Sequence, residues 1–244
     1  MIKNDDSDLS LRDSDRPAFN FKNRPELPSL RQAEAVEWNS SAKALAEFFD
    51  ALGVADPATT ARSLLREFPT LSDLLSASWW RLRRVVGKRL ARTVMASHEL
   101  MKAMLEEQVI EGPVVPRSDA LIDFLQAEVG FLKHERLLAL YVDSKCRLMR
   151  IERIAEGSFT GAVPNQRAII GCALAIGAAG FILVHNHPSG IPVPSIADLS
   201  LTQRLKHVAA EFDLNLLDHL IVARGRLGTI EEHWREARFR GEVT

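Results

Sequence analysis

The residues best suited to chemistry stand in Val184-His185-Asn186-His187-Pro188, closing the apolar run 180–184. If that run is a buried strand, side chains at i and i+2 leave the same face, so His185 and His187 present two imidazoles together while Asn186 faces away. Ser189-Gly-Ile-Pro-Val-Pro194 cannot continue a strand, and Ser195-Ile-Ala-Asp198 opens a helix whose apolar stripe is Leu201, Leu205, Val208 and Phe212. Asp198 then lies in the first helical turn, able to fold back toward both histidines. Two His and one carboxylate are a ligand set of catalytic zinc, which keeps a fourth position for water. Zinc lowers that water's pKa from about 15.7 to about 7, so hydroxide becomes available at neutral pH.

Plainer readings compete. Ser195-x-x-Asp198 is also a helix-capping box with Asp in place of Glu, and capping and metal binding can share Asp198. A lone buried His is usually a hydrogen-bonded core residue. Two of them at i, i+2 closing a strand, with an acid eleven residues further on across a Pro/Gly loop, favour a metal. The His-Asn-His string also invites an HNH nuclease reading, but in that motif the letters are scattered rather than adjacent.

The elements that must position these groups follow from periodicity and breakers. Residues 1–32 mix Asp, Ser, Asn, Arg and Pro and read as a flexible tail. From Ala42 the pattern is helical: Leu45, Phe48, Phe49 and Leu52 share a face, Asp56-Pro57 opens a second helix continued by Leu64, Leu65 and Phe68, and helices are expected over 71–77, 80–86 and 88–107. Glu111-Gly-Pro-Val-Val-Pro-Arg117 stops any helix, so a domain boundary is placed there, between a helical unit 33–111 and a second unit 117–244. The second unit reads as α/β: a helix over 118–129, a hairpin of 137–142 and 147–154 turning at 143–145, a short strand near Phe159, a helix over 166–177, and the strand that ends in the histidines.

At 244 residues, 46% hydrophobic and 26% charged, the chain can bury a sizeable core and is not disordered throughout. A net charge of -1 gives no global pull toward nucleic acid or acidic lipid, so such a partner needs a local patch. Cys146 and Cys172 have no metal-ligand spacing and form no disulfide framework, which fits a reducing cytoplasm. The start MIKNDDSDLSLRDSDRP is not a secretory signal and no stretch reaches the ~18 apolar residues of a membrane span, so neither secretion nor membrane insertion is expected.

The stretch from Glu135 to Val222 resembles the RadC family, within the JAMM (JAB/MPN) metalloprotease-like superfamily, whose signature is a distant Glu, then H-x-H, ten residues and D. His185, His187 and Asp198 match that spacing, and HNHPSG, Pro194-Ser195 and LLDHLIV at 216–222 are RadC-like rather than merely JAMM-like. The resemblance implies a mixed sheet flanked by helices and one zinc ion held by His185, His187 and Asp198. It implies that Glu135, just ahead of the strand 137–142, hydrogen-bonds the zinc-bound water as general base, and that Ser195 helps stabilise an oxyanion. Glu135 could instead be a solvated charge paired with Lys133 or Arg136, with Glu152 and Glu156 as rival acids, and Ser195 could be only the helix N-cap. One departure stands out: Val163-Pro-Asn-Gln-Arg167-Ala168 carries Ala where many relatives show an acid. Asp218-His219 is expected to support the site or the fold rather than to bind metal.

Residues 58–107 resemble the helix-hairpin-helix-like module that RadC relatives carry, in degenerate form, because only Gly87 supplies the glycine such a hairpin needs. Arg81, Arg83, Arg84, Lys88, Arg89 and Arg92 still place six cations within twelve residues, enough for weak, sequence-neutral DNA binding. The alternative is a solvated face balanced by Glu99, Glu106 and Glu107. Trp79 and Trp80 could stack on bases, but beside Leu82 and Val85 they are expected in the core. The function implied is zinc-dependent hydrolysis of peptide, isopeptide or amide bonds in a protein or peptide substrate, in a family traditionally linked with DNA repair. The alternatives are a DNA-associated accessory protein without turnover and, behind it, a metal-dependent nuclease.

Overall fold

The computed structural model describes residues 30–157 and 165–239. The expected tail up to residue 29 and the short strand near Phe159 lie outside the described residues. The first half is helical. Helix α1 (Leu30–Ala51) starts twelve residues earlier than the Ala42 start expected, because 30–39 lacks Gly and Pro and is rich in helix formers. Helix α2 (Pro57–Glu67) has Pro at its first turn and Asp56 as N-cap, whose carboxylate accepts the Thr59 N–H at 3.0 Å. After α3 (Leu71–Leu75), α4 spans Trp79–Ile110, broken at Gly87, where φ is +77° and only glycine sits without strain. The break divides it into the two helices that the sequence separates. Phe49, Leu64, Leu65, Phe68, Leu74 and Leu82 form the core of this half.

The second half is a five-stranded mixed sheet, ordered β2-β1-β3-β4-β5. Strands β1 (Arg136–Val142) and β2 (Leu148–Glu156) form the expected hairpin, whose turn is held by the Asp143 carboxylate accepting the Lys145 and Arg147 N–H groups. Strand β3 (Gly180–Asn186) runs antiparallel to β1 and parallel to β4 (Asn215–Ala223), and β5 (Arg226–Thr229) closes the edge. Helix α5 (Asp119–Leu125) continues into a π-helical turn, Gln126–Gly130. Helices α6 (Gln166–Ile176), α7 (Ile196–Ala210) and α8 (Ile230–Phe239) complete the described chain.

Each face of the sheet is covered. Leu138, Leu140, Ile182, Val184, Leu220 and Val222 pack against Leu121, Phe124 and Leu125 of α5, joined by Val109 at the end of α4 and by Val114. The opposite face sets Leu137, Ala139, Tyr141, Phe181 and Leu183 against Ile169 and Ala173 of α6 and Leu201 and Leu205 of α7. The layered α/β architecture and its all-helical preface are as expected, whereas β4, β5 and α8 were not assigned from sequence. The halves also touch: Asp73 takes Lys133 at 2.8 Å and Arg224 at 3.6 Å, and Lys102 reaches Glu128 at 2.8 Å.

Two expectations about the basic segment need correction. Trp79 packs against the helical core, but Trp80 is 69% exposed, and Arg83 lies over both rings at 5.1 and 5.5 Å. Two of the six cations pair with Glu67 rather than with Glu99, Glu106 or Glu107: it holds Arg81 at 2.9 Å and Arg84 at 3.2 Å, because the packing of α2 against α4 brings a residue distant in sequence beside them.

Candidate metal centre

The last residues of β3 and the first turn of α7 meet on one face of the sheet. There His185 Nε2 lies 2.8 Å from His187 Nε2, and the Asp198 carboxylate lies 3.4 Å from the first and 3.6 Å from the second. These are the residues that sequence spacing brings together, and they form a group able to hold a metal ion. Strand alternation sets both rings on the face that α7 covers, and His185 is buried while His187 stays partly open.

The partners of the outer ring nitrogens set what the inner ones can do. His187 Nδ1 lies 2.9 Å from the Ile191 carbonyl, which can only accept, so Nδ1 carries the proton and Nε2 of the neutral ring is bare. His185 Nδ1 is engaged by His219 at 2.8 Å. When both rings are neutral with protonated Nδ1 atoms, two lone pairs face each other beside a carboxylate, an arrangement that calls for a cation between them. A tetrahedral ion with bonds of about 2.0–2.2 Å separates neighbouring ligands by roughly 3.4 Å, and the donor separations of 2.8, 3.4 and 3.6 Å bracket that value. The residues therefore fit a metal.

Asp198 caps and faces the site at once. Ser195 caps α7 by accepting the Asp198 N–H at 3.2 Å, and Asp198 Oδ2 accepts the Ser195 N–H at 2.7 Å and its hydroxyl at 2.6 Å. The capping and metal readings thus hold together, with Oδ1 left toward His185. Burial opposes ionisation of Asp198, but the two imidazoles, when protonated, and the Ser195 hydroxyl outweigh it and hold the carboxyl far below the usual carboxylate range. The Asp198 contact in turn raises the His187 pKa, with a smaller contribution from the charge of Glu135.

Glu135 lies just before β1. Leu137 pairs with His185 in the antiparallel ladder, a register that extended by two residues would bring Glu135 opposite His187, and the charge of Glu135 acts on His187. Of its neighbours in sequence, Lys133 binds Asp73, and Arg136 binds Glu128 and Glu156. The rival acids are held in ion pairs of their own. Glu152 pairs with Arg150, and Glu156 sits among Arg136, Arg153 and His134, the Arg136 hydrogen bond foremost, with its pKa lowered to about 2. Ala168, at the place where an acid was expected, lies in the first turn of α6 with its N–H held by the Asn165 side chain.

Two residues of the site escaped sequence reasoning. Asn186 does face away from the ligands, but its buried amide bridges the ends of the segment around Glu135: Oδ1 accepts the Arg136 N–H at 2.8 Å and Nδ2 donates to the His134 carbonyl at 2.9 Å. The other is Thr202, buried behind the ligands against His219. The loop between the ligands is also anchored, since a Cβ at Gly228 of β5 would collide with the Pro192 carbonyl. That loop exposes Ile191, Val193 and, at the start of α7, Ile196.

Comparison with known families finds a RadC-like JAB domain over residues 115–234. A UPF0758 protein of Azotobacter vinelandii is 38% identical over 177 residues, covering 71% of this chain and 79% of the relative. One from Stutzerimonas stutzeri is 36% identical over 231 residues, covering 93% of this chain and all of the relative. One from Marinobacter nauticus is 32% identical over 174 residues, covering 70% and 78% respectively.

Proposed function

Since this chain belongs to the RadC family, we propose that it is a zinc-dependent hydrolase of peptide, isopeptide or amide bonds. The observation that carries this reading is the His185 and His187 Nε2 atoms 2.8 Å apart beside the Asp198 carboxylate, with the charge of a second carboxylate, Glu135, acting on His187. His185, His187 and Asp198 would hold the ion. Zinc supplies an acidified water and a Lewis acid toward a carbonyl oxygen when bound.

The remaining roles fall to the chain. Glu135 accepts a proton from the attacking water and returns it to the leaving nitrogen, the ordinary cycle of a general base that becomes a general acid. Ser195 orders Asp198, and its hydroxyl reaches an oxyanion only when its proton turns away from Asp198 Oδ2. The exposed Ile191, Val193 and Ile196 beside the ligands favour an apolar protein or peptide chain over a phosphodiester, which would be met by basic groups. Among the described residues no helix is long and apolar enough to cross a membrane, and two free cysteines suit the cytoplasm.

The test is incubation of the zinc-loaded protein with a mixed peptide pool, reading newly exposed amines by mass spectrometry. The wild type releases amines, and Glu135→Gln retains zinc but releases none. Equal release by both proteins would remove Glu135 from the mechanism. No release by the wild type would favour a binding module without turnover. That second reading, a DNA-associated accessory protein, draws on exposed Trp80 and on exposed Lys88, Arg89 and Arg92 just past the Gly87 break.

A further inference from the structure

Behind the ligands runs a chain of four groups. His185 Nδ1 lies 2.8 Å from His219 Nε2, His219 Nδ1 lies 2.6 Å from Thr202 Oγ1, and Thr202 Oγ1 lies 2.6 Å from the backbone carbonyl of Asp198. His185, His219 and Thr202 are each at most 3% exposed, so no bulk water competes for these hydrogen bonds. The far end sets the direction. The Asp198 carbonyl can only accept, so the single Thr202 proton goes to it, and Thr202 Oγ1 must accept from His219. His219 therefore carries its proton on Nδ1, and its bare Nε2 accepts the proton on His185 Nδ1. His185 Nε2 is left as a lone pair facing His187 and Asp198.

The fold builds this chain deliberately. Phe181 pairs with Leu216 but Ile182 pairs with Asp218, so Leu217 is an extra residue on β4. An unbulged register through the same residues would place His219 beside Val184, on the sheet face covered by α5. The bulge shifts the later residues by one, and His219 arrives on the face of His185.

We propose that His219 and Thr202 are positioning residues: they fix the His185 tautomer through a hydrogen-bond ring that starts at one metal ligand and ends on the backbone of another. The proposal deepens the zinc reading above and rests on it for the role of His185, although the proton order can be measured apart from zinc. A histidine ligand commonly has its second nitrogen held by a carboxylate or carbonyl. Here a second histidine does that work, with its own orientation set by Thr202.

The direct test is a long-range proton–nitrogen correlation spectrum of the full chain labelled with ¹⁵N-histidine, recorded with and without zinc. His219 shows the Nδ1–H tautomer in both states, and His185 shows it with zinc bound. An Nε2–H tautomer at His219 overturns the proposal whether or not zinc binds, whereas failure of the wild type to bind zinc overturns the metal reading instead. Zinc affinity, measured by chelator competition, gives the second arm. His219→Leu loses about 10–100-fold, while His219→Gln, whose amide can accept from His185 and donate to Thr202, stays near the wild type. If Leu and Gln weaken zinc equally, or neither does, His219 only fills space. Should either variant fail to fold, Thr202→Val and Thr202→Ser decide. Val, which keeps the shape, mixes the His219 tautomers and weakens zinc, and Ser does neither; unchanged tautomers in the Val variant overturn the relay.

Discussion

Asn186→Ala removes no ligand, yet it strikes the segment that carries Glu135. The amide is 1% exposed and makes two hydrogen bonds, 2.8 Å from the Arg136 N–H and 2.9 Å to the His134 carbonyl. Each such bond contributes about 1 kcal/mol net, and each backbone group left unpaired adds about 1 kcal/mol or more where burial denies it water. Both sites are part-buried, so the total loss is about 2–4 kcal/mol. For a chain of this size that lowers the midpoint of thermal unfolding by about 4–16 °C. Asn186→Asp should be worse at neutral pH, because a carboxylate still accepts from Arg136 but faces the His134 carbonyl with no proton. Scanning calorimetry and denaturant titration read the loss. Zinc content stays at the wild-type level in both variants, and any hydrolysis falls as Glu135 loses its fixed backbone. A loss under about 0.5 kcal/mol, or departure of zinc along with stability, would refute the claim that Asn186 holds this segment rather than the ligands.

Other consequences can be checked separately. Asp198→Asn keeps an oxygen for the Ser195 N–H, so circular dichroism should show α7 intact, while chelator competition shows zinc affinity reduced beyond the ~100-fold that bounds losses of supporting partners. Glu156 has a depressed pKa, about 2 against an ordinary 4.5, so its stabilising effect is complete above 4.5 and disappears as pH falls from there through about 2. Urea titrations should accordingly find Glu156→Gln less stable than the wild type at pH 6 and the gap narrowing by pH 2.5; a constant gap would mean that its ion pairs are immaterial. If Lys88 and Arg89 contact phosphates, replacing both with Ala should reduce the salt slope of DNA binding by about two in fluorescence anisotropy, leaving zinc content unchanged; an unaltered slope would return these cations to a solvated face.

What could be read in advance was governed by local rules. The Pro and cap signals fixed the start of α2, Gly87 marked the break in α4, and the i, i+2 alternation with the Pro-rich loop brought His185, His187 and Asp198 together. What escaped depends on pairing between distant segments. β4 carries an extra residue at Leu217, so its apolar alternation slips a register and gives no clean strand signal, and the same slip hides on which face His219, expected only to support the site or the fold, would lie. Asn186 was read only as facing away, because its partners at His134 and Arg136 are fifty residues earlier, and nothing local indicates that a side chain extends the ladder there. Trp80 was expected inside because apolar neighbours flank it, but the helix turns it outward while Trp79 takes the core position.

The central claim is that the bare Nε2 atoms of His185 and His187, with Asp198, hold zinc. Mass-spectrometric metal analysis of the full chain, purified without chelator and supplied with zinc, tests it most directly. About one zinc per chain should be found in the wild type, and less than about a tenth of that in the His185→Ala, His187→Ala double variant whose circular dichroism matches the wild type. Full occupancy in the double variant, or none in the wild type, would contradict the account.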